Sequence, residues 1–481
     1  MLLGIYFVAG IFLSGLILIF PRRKSINIFT LIFIVIQALF SVVAFLRKDQ
    51  TDLLYFTYDS LAIIFMMILS LISSATFFHS IIYTKDSGHW QRALFYFSFI
   101  ILNVSLTGVY TTNNLIVSWI FIELTTLSVA YLINHHGSAN SLEATWKYIF
   151  ICSVGIALAY VGILFANASV GVENTGDMSF EGLRKTFSNI NPVYLKMAFI
   201  LILAGYSSKL EVFPLYTIGI DANYVAPSPV SAFLSSALVN GGFIAFFRVF
   251  LAMSDTIISP WINHVLLITG ILSLIVAAIY IQKATNLKRI FAYSTVEHMG
   301  LVLIALSLGK PGIYIALLQI TFHSLIKSGL FFQTGLLHRV LKSYKLYKSG
   351  GYLRLNPSGA MILIFGVLLI TAIPPSALFL SEFLLFRELI DGQLIVFVIV
   401  ALLLTLIFYG MFLKNSKILA GEPAHLHTSE IVRIPFAEYS TQILFFSIAV
   451  LFCFYIPGFI NKLFLSVAGL SEGFLFPLFI F

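Results

Sequence analysis

Apolar segments separated by short polar loops recur along the whole chain. Each is about 20 residues long, the length an α-helix needs to cross the hydrocarbon core of a bilayer. No strand pattern and no soluble domain interrupts them, so the sequence predicts an all-α polytopic membrane protein. The two longest segments, 312–338 and 359–389, are expected to bend. About fourteen spans are predicted, at residues 1–20, 26–46, 60–83, 91–111, 114–134, 145–166, 193–216, 228–253, 260–281, 287–308, 312–338, 359–389, 393–413 and 439–461.

One polar stretch, residues 205–240, cannot be an ordinary span. Lys209 follows an apolar segment, and a lysine at the bilayer centre costs several kcal/mol unless it is paired or hydrated. Pro214 lacks a backbone donor and should break the helix. A charge beside a broken helix is typical of the ion path in a transporter. The sequence therefore places the functional centre here.

A second broken helix is predicted in the other half of the chain, where Glu382 follows Pro374 and Pro375. Paired broken helices are typical of inverted repeats around a midplane site. We expect a single transmembrane domain, 1–481, with two inverted five-helix repeats, 91–253 and 260–413, and a last helix at 439–461.

The basic residues are distributed unevenly over the predicted loops. Of 28 Lys and Arg residues, sixteen fall in odd-numbered loops, seven in even-numbered loops and the C-terminal tail, and five within spans. Because Lys and Arg are enriched on the cytoplasmic side, the odd loops are predicted to be cytoplasmic. Both termini are then on the outer side of the cytoplasmic (inner) membrane.

Composition narrows the classes of function. The chain is 59% hydrophobic and 10% charged, with a mean hydropathy of +1.00, which fits the lipid bilayer and no soluble class. Loop orientation explains the net charge of +8, so nucleic-acid binding is not predicted. Cys152 and Cys453 form no CxxC or Cys/His cluster, and no phosphate-binding loop or Ser/His/Asp arrangement occurs. No metal or cofactor is expected in this chain.

Titratable residues within the spans are the candidates for chemistry. Buried ion pairs stabilise a protein poorly because desolvation offsets their attraction. The large number of titratable residues within the spans therefore favours a function over structural anchoring. Glu123 has no polar partner of opposite charge within a turn and needs one on another helix. His323 and Lys327 lie four residues apart on one helix face, as a proton relay requires, although a histidine bonded to a backbone carbonyl is the alternative. The predicted proton path is Glu123, Lys209, His298, His323, Lys327 and Glu382.

A second group of candidates has weaker support. Lys147 is close enough to a span end to extend its amine to the interface. Asp59 begins the third span, and Glu211 and Asp221 belong to the polar stretch after Lys209. Arg248 lies toward a span end, where an interface anchor is the simpler interpretation.

Seven motifs carry a resemblance to known proteins: FIEL (121–124), SLEATWKYIFICSVGIALA (141–159), KLEVFPLYT (209–217), DANYVAPSPVSAFLSSALVN (221–240), NLKRIFAYSTVEHMGLV (286–302), HSLIKSGLFFQTG (323–335) and PPSALFLSEF (374–383). They resemble one family, the antiporter-like membrane subunit of respiratory complex I, Mrp-type Na⁺/H⁺ antiporters and group-four membrane-bound [NiFe] hydrogenases. The branch that the chain resembles most is the hydrogenase type of formate hydrogenlyase-like complexes, in which the neutral Asn240 also fits. The resemblance covers roughly residues 50–420.

The resemblance implies fourteen helices and proton translocation coupled to redox chemistry in partner subunits. Those partners would be other membrane subunits and a hydrophilic arm that carries Fe–S, [NiFe] or quinone groups. It also implies that Glu123 pairs with Lys209, that His323, Lys327 and His298 form a relay, and that Glu382 is an acidic exit residue. Where the family usually has TWLPDAH, this chain has Thr217–Asn223, with Ile220 and Asn223 in place of the proline and the histidine.

Three hypotheses follow. The first is a proton-translocating subunit of a membrane-bound redox complex, similar to a hydrogenase or an NADH:quinone oxidoreductase. The second is a subunit of an Mrp-type cation/proton antiporter without a redox partner. The third is a scaffold whose ion path is impaired by the changes at Ile220 and Asn223.

Overall fold

The computed structural model describes residues 1–170, 177–187, 191–422 and 434–471. In this part of the chain, thirteen helices are long and apolar enough to cross a membrane. The prediction of an all-α polytopic membrane protein is therefore confirmed. Arg433, counted among the basic loop residues, lies outside the described residues, as does part of the polar connection at 167–192.

Residues Met1–Val265 form one compact unit, here called unit 1, and Leu266–Phe481 form unit 2. The helices of unit 1 are α1 (Leu2–Ile19), α2 (Arg23–Leu46), α3 (Ser60–Tyr83), α4 (His89–Thr111), α5 (Leu115–Ile133), α6 (Ala139–Val170), α7 (Phe180–Thr186), α8 (Pro192–Leu210), α9 (Thr217–Val225), α10 (Ser228–Phe233) and α11 (Val239–Met253).

A short β-hairpin precedes α3, which the hydropathy pattern did not predict. Strands β1 (Thr51–Asp52) and β2 (Phe56–Thr57) pair antiparallel, with Thr51 opposite Thr57. Two residues per strand are too few to give a detectable period-2 pattern.

The helix break predicted around Pro214 is confirmed. Helix α8 ends at Leu210, Glu211 follows in the left-handed conformation with φ 55° and ψ 38°, and α9 begins at Thr217. Between α10 and α11 the chain forms a π-helix at Leu234–Leu238. Irregular backbone of this kind is tolerated at membrane depth only where protein surrounds it, and the span 228–253 is buried throughout its most apolar window.

Helix α12 (Ser259–Lys283) contains the boundary between the units, and unit 2 continues with α13 (Leu287–Leu306) and α14 (Lys310–Leu341). Segment 312–338, expected to bend, lies within α14 and is helical without interruption. The remaining helices are α15 (Tyr352–Leu355), α16 (Pro357–Ile370), α17 (Ala377–Gly392), α18 (Leu394–Ala420), α19 (Ser440–Phe454) and α20 (Gly458–Ala468).

The second predicted break also occurs, because segment 359–389 divides into α16 and α17. Ser376 joins the two halves: its hydroxyl donates to Leu369 O at 2.8 Å and accepts from Leu378 N at 3.2 Å. Neither half is among the thirteen long helices, so the expected count of about fourteen spans agrees with thirteen long helices and one broken span.

The helices differ in how much of their surface the protein covers. The most apolar window of α14 is 100% buried, whereas that of α18 is 22% buried. The polar and charged residues predicted to act lie mainly on covered helices such as α8, α11, α13 and α14. This is the arrangement expected for ionisable groups within a membrane.

Candidate functional site

Lys209 is the centre of the candidate site in unit 1. It lies in the last turn of α8, and 2% of its side-chain surface is exposed. Its Nζ donates to Tyr148 OH on α6 at 2.9 Å and to Thr125 Oγ1 on α5 at 3.4 Å. A Cβ on Gly242 of α11 would come within 2.7 Å of Lys209 Cβ. Three neighbouring helices therefore enclose this lysine.

Glu123 lies near Lys209 without pairing directly with it. Its Oε1 accepts from Ser153 Oγ on α6 at 3.1 Å, and the ion pairs formed by the described residues include none between Glu123 and Lys209. The direct pair implied by the resemblance is therefore not formed in this structure. Each of the two charged residues instead bonds to a hydroxyl on α6, Ser153 for the acid and Tyr148 for the base.

Tyr148 is a site residue that sequence reasoning missed in favour of its neighbour. Consecutive helical side chains point in different directions, and here Tyr148 is 3% exposed while Lys147 faces outward. Lys147 Nζ pairs with Glu143 Oε1 at 2.6 Å, and both side chains are more than half exposed. The structure therefore does not bring Lys147 to the site. A tyrosine within an apolar span was the available signal.

The buried Arg248 pairs with the half-buried Asp59 and holds helices together. Arg248 donates from Nη1 to Asp59 Oδ2 at 2.6 Å and from Nη2 to Asp59 Oδ1 at 3.1 Å and Tyr110 O at 2.9 Å. Asp59 also caps α3 by accepting from Ala62 N at 2.8 Å. The interpretation of Arg248 as an interface anchor was wrong, since only 8% of its side chain is exposed. Its pairing gives Asp59 a structural role.

The other candidates of unit 1 lie around the break. Asn240 is fully buried on α11, and Asp221 is half-buried on α9. Glu211 is 4% exposed and its Oε1 accepts from Asn223 Nδ2 at 3.3 Å. Their positions are consistent with a polar interior in this part of the unit.

Unit 2 brings four predicted residues into one row. Lys327 on α14 is fully buried, and its Nζ donates to Phe291 O at 2.7 Å and to Ser294 Oγ on α13. One turn earlier, His323 is also fully buried, and neither of its ring nitrogens has a hydrogen-bond partner within the described residues. Its ring centroid lies 5.0 Å from that of His298 on α13.

The row continues from His298 toward α17 through neutral groups. Gln319 Nε2 lies 2.9 Å from His298 Nδ1, and Gln319 Oε1 accepts from Ser381 Oγ. The half-buried Glu382 is the next residue on α17. Gln319 and Ser381 therefore provide uncharged hydrogen-bonding groups between His298 and the part of α17 that carries Glu382.

Sequence reasoning also gave no role to several residues of this row. Gln319, Ser381 and Ser294 are uncharged and carried no signal among many polar residues. Glu297, an acid within the predicted span 287–308, is 4% exposed, and its Oε2 lacks a hydrogen-bond partner among the described residues. A buried carboxyl beside His298 belongs among the candidates.

No group of three or more His, Cys, Asp or Glu side chains is placed to hold a metal ion within the ranges that the structure describes.

Comparison with known proteins identifies the family. A family profile described as "NADH:quinone oxidoreductase/Mrp antiporter, TM" matches residues 112–408. The chain is 30% identical over 406 residues to the hydrogenase-4 component F homolog of Methylacidiphilum infernorum, covering 81% of this chain and 85% of the relative. It is 25% identical to hydrogenase-4 component B of Escherichia coli, covering 82% of this chain and 61% of that protein.

The fold of this chain is similar to that of a solved structure. A chain in the structure of the Mrp complex from Dietzia sp. DQ12-45-1b superposes with a TM-score of 0.84 at 16% identity and covers 98% of each chain. Together with the profile match over more than half of the sequence, these findings assign the chain: it belongs to the membrane-subunit family of NADH:quinone oxidoreductases and Mrp antiporters.

Proposed function

We propose that this chain is a proton-translocating, antiporter-like subunit of a membrane-bound redox complex. The observation that carries the proposal is the buried row in unit 2, where Lys327, His323 and His298 follow one another along α14 and α13. Burial of three titratable side chains in one row costs stability, which favours a functional reason for their presence. Such residues within a membrane are typical of proton relays.

The proton path comprises the six residues Glu123, Lys209, His298, His323, Lys327 and Glu382. In unit 1, Lys209 exchanges its proton through Tyr148 and Thr125, which are its hydrogen-bond partners. In unit 2, protons move between Lys327 and Glu382 through the two histidines and Gln319. The residues 91–253 and 260–413 are the two inverted repeats that present these groups.

The redox chemistry belongs to partner subunits in this proposal. Hydrogenase-4 component F and component B are the names of two relatives, which supports a hydrogenase-type assembly with other membrane subunits and a hydrophilic arm. Fe–S, [NiFe] or quinone groups would lie on those partners. The complex would lie in the cytoplasmic membrane, with both termini of this chain on the outer side as the distribution of Lys and Arg predicts.

Proton flux through the reconstituted chain tests the proposal. The full chain is placed in proteoliposomes, a potassium gradient with valinomycin sets the membrane potential, and enclosed pyranine reports internal pH. We expect Lys327→Ala and Lys209→Ala each to lower the flux by about 100-fold, because positioned acid–base groups contribute that much to proton transfer. Lys147→Ala is the matched control, since that lysine is exposed. Wild-type flux in both buried-lysine variants would refute the proposal.

An Mrp-type cation/proton antiporter is the second candidate, because the matching family profile includes Mrp antiporters. Purification of the native complex separates the two. Co-purifying Fe–S and [NiFe] or quinone-binding subunits would support the redox complex, whereas small membrane subunits alone would support the antiporter. A third hypothesis, a scaffold with an impaired path, predicts that the wild-type chain conducts no protons in the liposome assay.

A further inference from the structure

The side chain of Glu211 occupies the break between α8 and α9. It is the first residue after α8 and adopts the left-handed backbone conformation with φ 55°. Residues that end a helix in this way are usually Gly or Asn, because a Cβ is disfavoured there. A glutamate whose side chain is 4% exposed is therefore not explained by ending the helix alone.

Gly219 provides the space that the Glu211 carboxyl group fills. A Cβ added to Gly219 would overlap the carboxyl carbon and Oε1 of Glu211 and would lie 2.6 Å from its Cγ. Any other residue at position 219 would displace the carboxyl group. Gly219 is in the first turn of α9, so the side chain that leaves the end of α8 lies against the beginning of the next helix.

Asn223 fixes the orientation of the carboxyl group. Its Nδ2 donates to Glu211 Oε1 at 3.3 Å, and Asn223 itself is fully buried. An amide does not titrate, so of these two hydrogen-bonded side chains only that of Glu211 can bind a proton.

The charge around the break gives this carboxyl group a role toward Lys209, two residues earlier. Helices α5, α6, α8, α9, α10 and α11 pack around the break. Among the described residues of these helices, Lys209 and Arg248 are the buried cations, and Arg248 is paired with Asp59. Tyr148, which accepts from Lys209 Nζ at 2.9 Å, lies within electrostatic reach of Glu211. An ionised Glu211 would favour the lysine ammonium in this hydrogen bond, and a protonated Glu211 would favour release of the lysine proton. The titratable and charged groups on these helices include Glu123 on α5, Tyr148 and Cys152 on α6, Lys209 on α8, Asp221 and Tyr224 on α9, and Arg248 on α11.

We propose that Glu211 is an additional proton-binding residue of unit 1. Gly219 leaves the space for its carboxyl group, and Asn223 is its hydrogen-bond partner. The proton that Glu211 takes up enters at the break, and its charge state controls whether Lys209 holds or releases a proton. This inference rests on the proposed function and adds to it a residue that the six-residue path does not include.

The liposome flux assay tests the inference with an isosteric change. Glu211→Gln keeps an acceptor oxygen for Asn223 but binds no proton, and we expect proton flux to fall by about tenfold or more. Glu143→Gln is the matched control, because Glu143 is an exposed glutamate in the same unit; its flux should equal that of the wild type. Gly219→Ala, which displaces the carboxyl group, should lower the flux as Glu211→Gln does.

A rescue variant separates proton binding from a structural effect. In the double variant Glu211→Gln/Asn223→His, the imidazole at position 223 lies within hydrogen-bond distance of side chain 211 and can bind a proton in place of the carboxyl group. Most of the flux should therefore return. If Glu211→Gln keeps wild-type flux while Lys209→Ala abolishes it, Glu211 only ends the helix and the inference is overturned. A loss that Asn223→His does not rescue overturns it as well. If Lys209→Ala also keeps wild-type flux, the proposed function fails, and the role of Glu211 fails with it.

Discussion

The hydroxyl group of Tyr148 should control how readily Lys209 carries a proton. In Tyr148→Phe the ring remains and only the oxygen that accepts from Lys209 Nζ at 2.9 Å is removed. The remaining acceptor, Thr125 Oγ1, lies at 3.4 Å, which is too long for a strong hydrogen bond. The ammonium form of Lys209 therefore loses its principal partner in a buried site.

The size of the effect follows from the charge on the donor. A hydrogen bond to a charged group contributes about 1.5–3 kcal/mol. Because each 1.36 kcal/mol corresponds to a factor of ten, the ratio of the ammonium form to the neutral form of Lys209 should fall by about 10- to 100-fold. If proton flux requires the ammonium form, the flux should fall by a similar factor.

The assay is proton flux into proteoliposomes at fixed membrane potential, with protein amounts matched. Tyr160→Phe is the control, because Tyr160 lies on the same helix α6 and is 41% exposed. Flux in Tyr148→Phe that equals that of Tyr160→Phe would refute the reasoning, since the Lys209 ammonium would then not depend on this hydroxyl.

Two further predictions concern a relay residue and a structural pair. His323→Phe should lower proton flux about 100-fold, whereas His264→Phe, on the exposed surface of α12, should leave it unchanged; equal flux in both would remove His323 from the path. Arg248→Gln should destabilise the chain by about 2 kcal/mol, because the half-buried Asp59 loses the charged donor of its two hydrogen bonds. Arg184→Gln breaks an exposed pair and should change stability by less than about 1 kcal/mol. Thermal unfolding in detergent measures both, and equal midpoints would contradict the structural role of Arg248.

The sequence predicts those features that depend on neighbours along the chain. Pro214 and the pair Pro374 and Pro375 mark both helix breaks, because proline removes a backbone donor. His323 and Lys327 are predicted to share a face because they lie four residues apart on one helix, and both are buried in unit 2.

Features that depend on contacts between distant helices were beyond the sequence. Asp59 and Arg248 are separated by 189 positions, and nothing local distinguishes their pairing from two separate interface charges. Tyr148 and Lys147 are adjacent, and hydropathy alone does not say which of them faces the protein interior. The role of Gly219 becomes visible only when the Glu211 carboxyl group is seen against it.

The neutral hydrogen-bond partners of Lys209 are consistent with its proposed role in proton exchange. If Lys209 were paired directly with Glu123, release of its proton would leave an uncompensated buried carboxylate, at a cost of about 3–5 kcal/mol. Tyr148 and Thr125 are neutral, so when Lys209 gives up its proton no buried charge is left behind among its hydrogen-bond partners. Glu123 meanwhile keeps its own hydroxyl partner, Ser153. Separation of the acid from the base by hydroxyl groups therefore lets the lysine change its charge at a lower cost than a direct ion pair would.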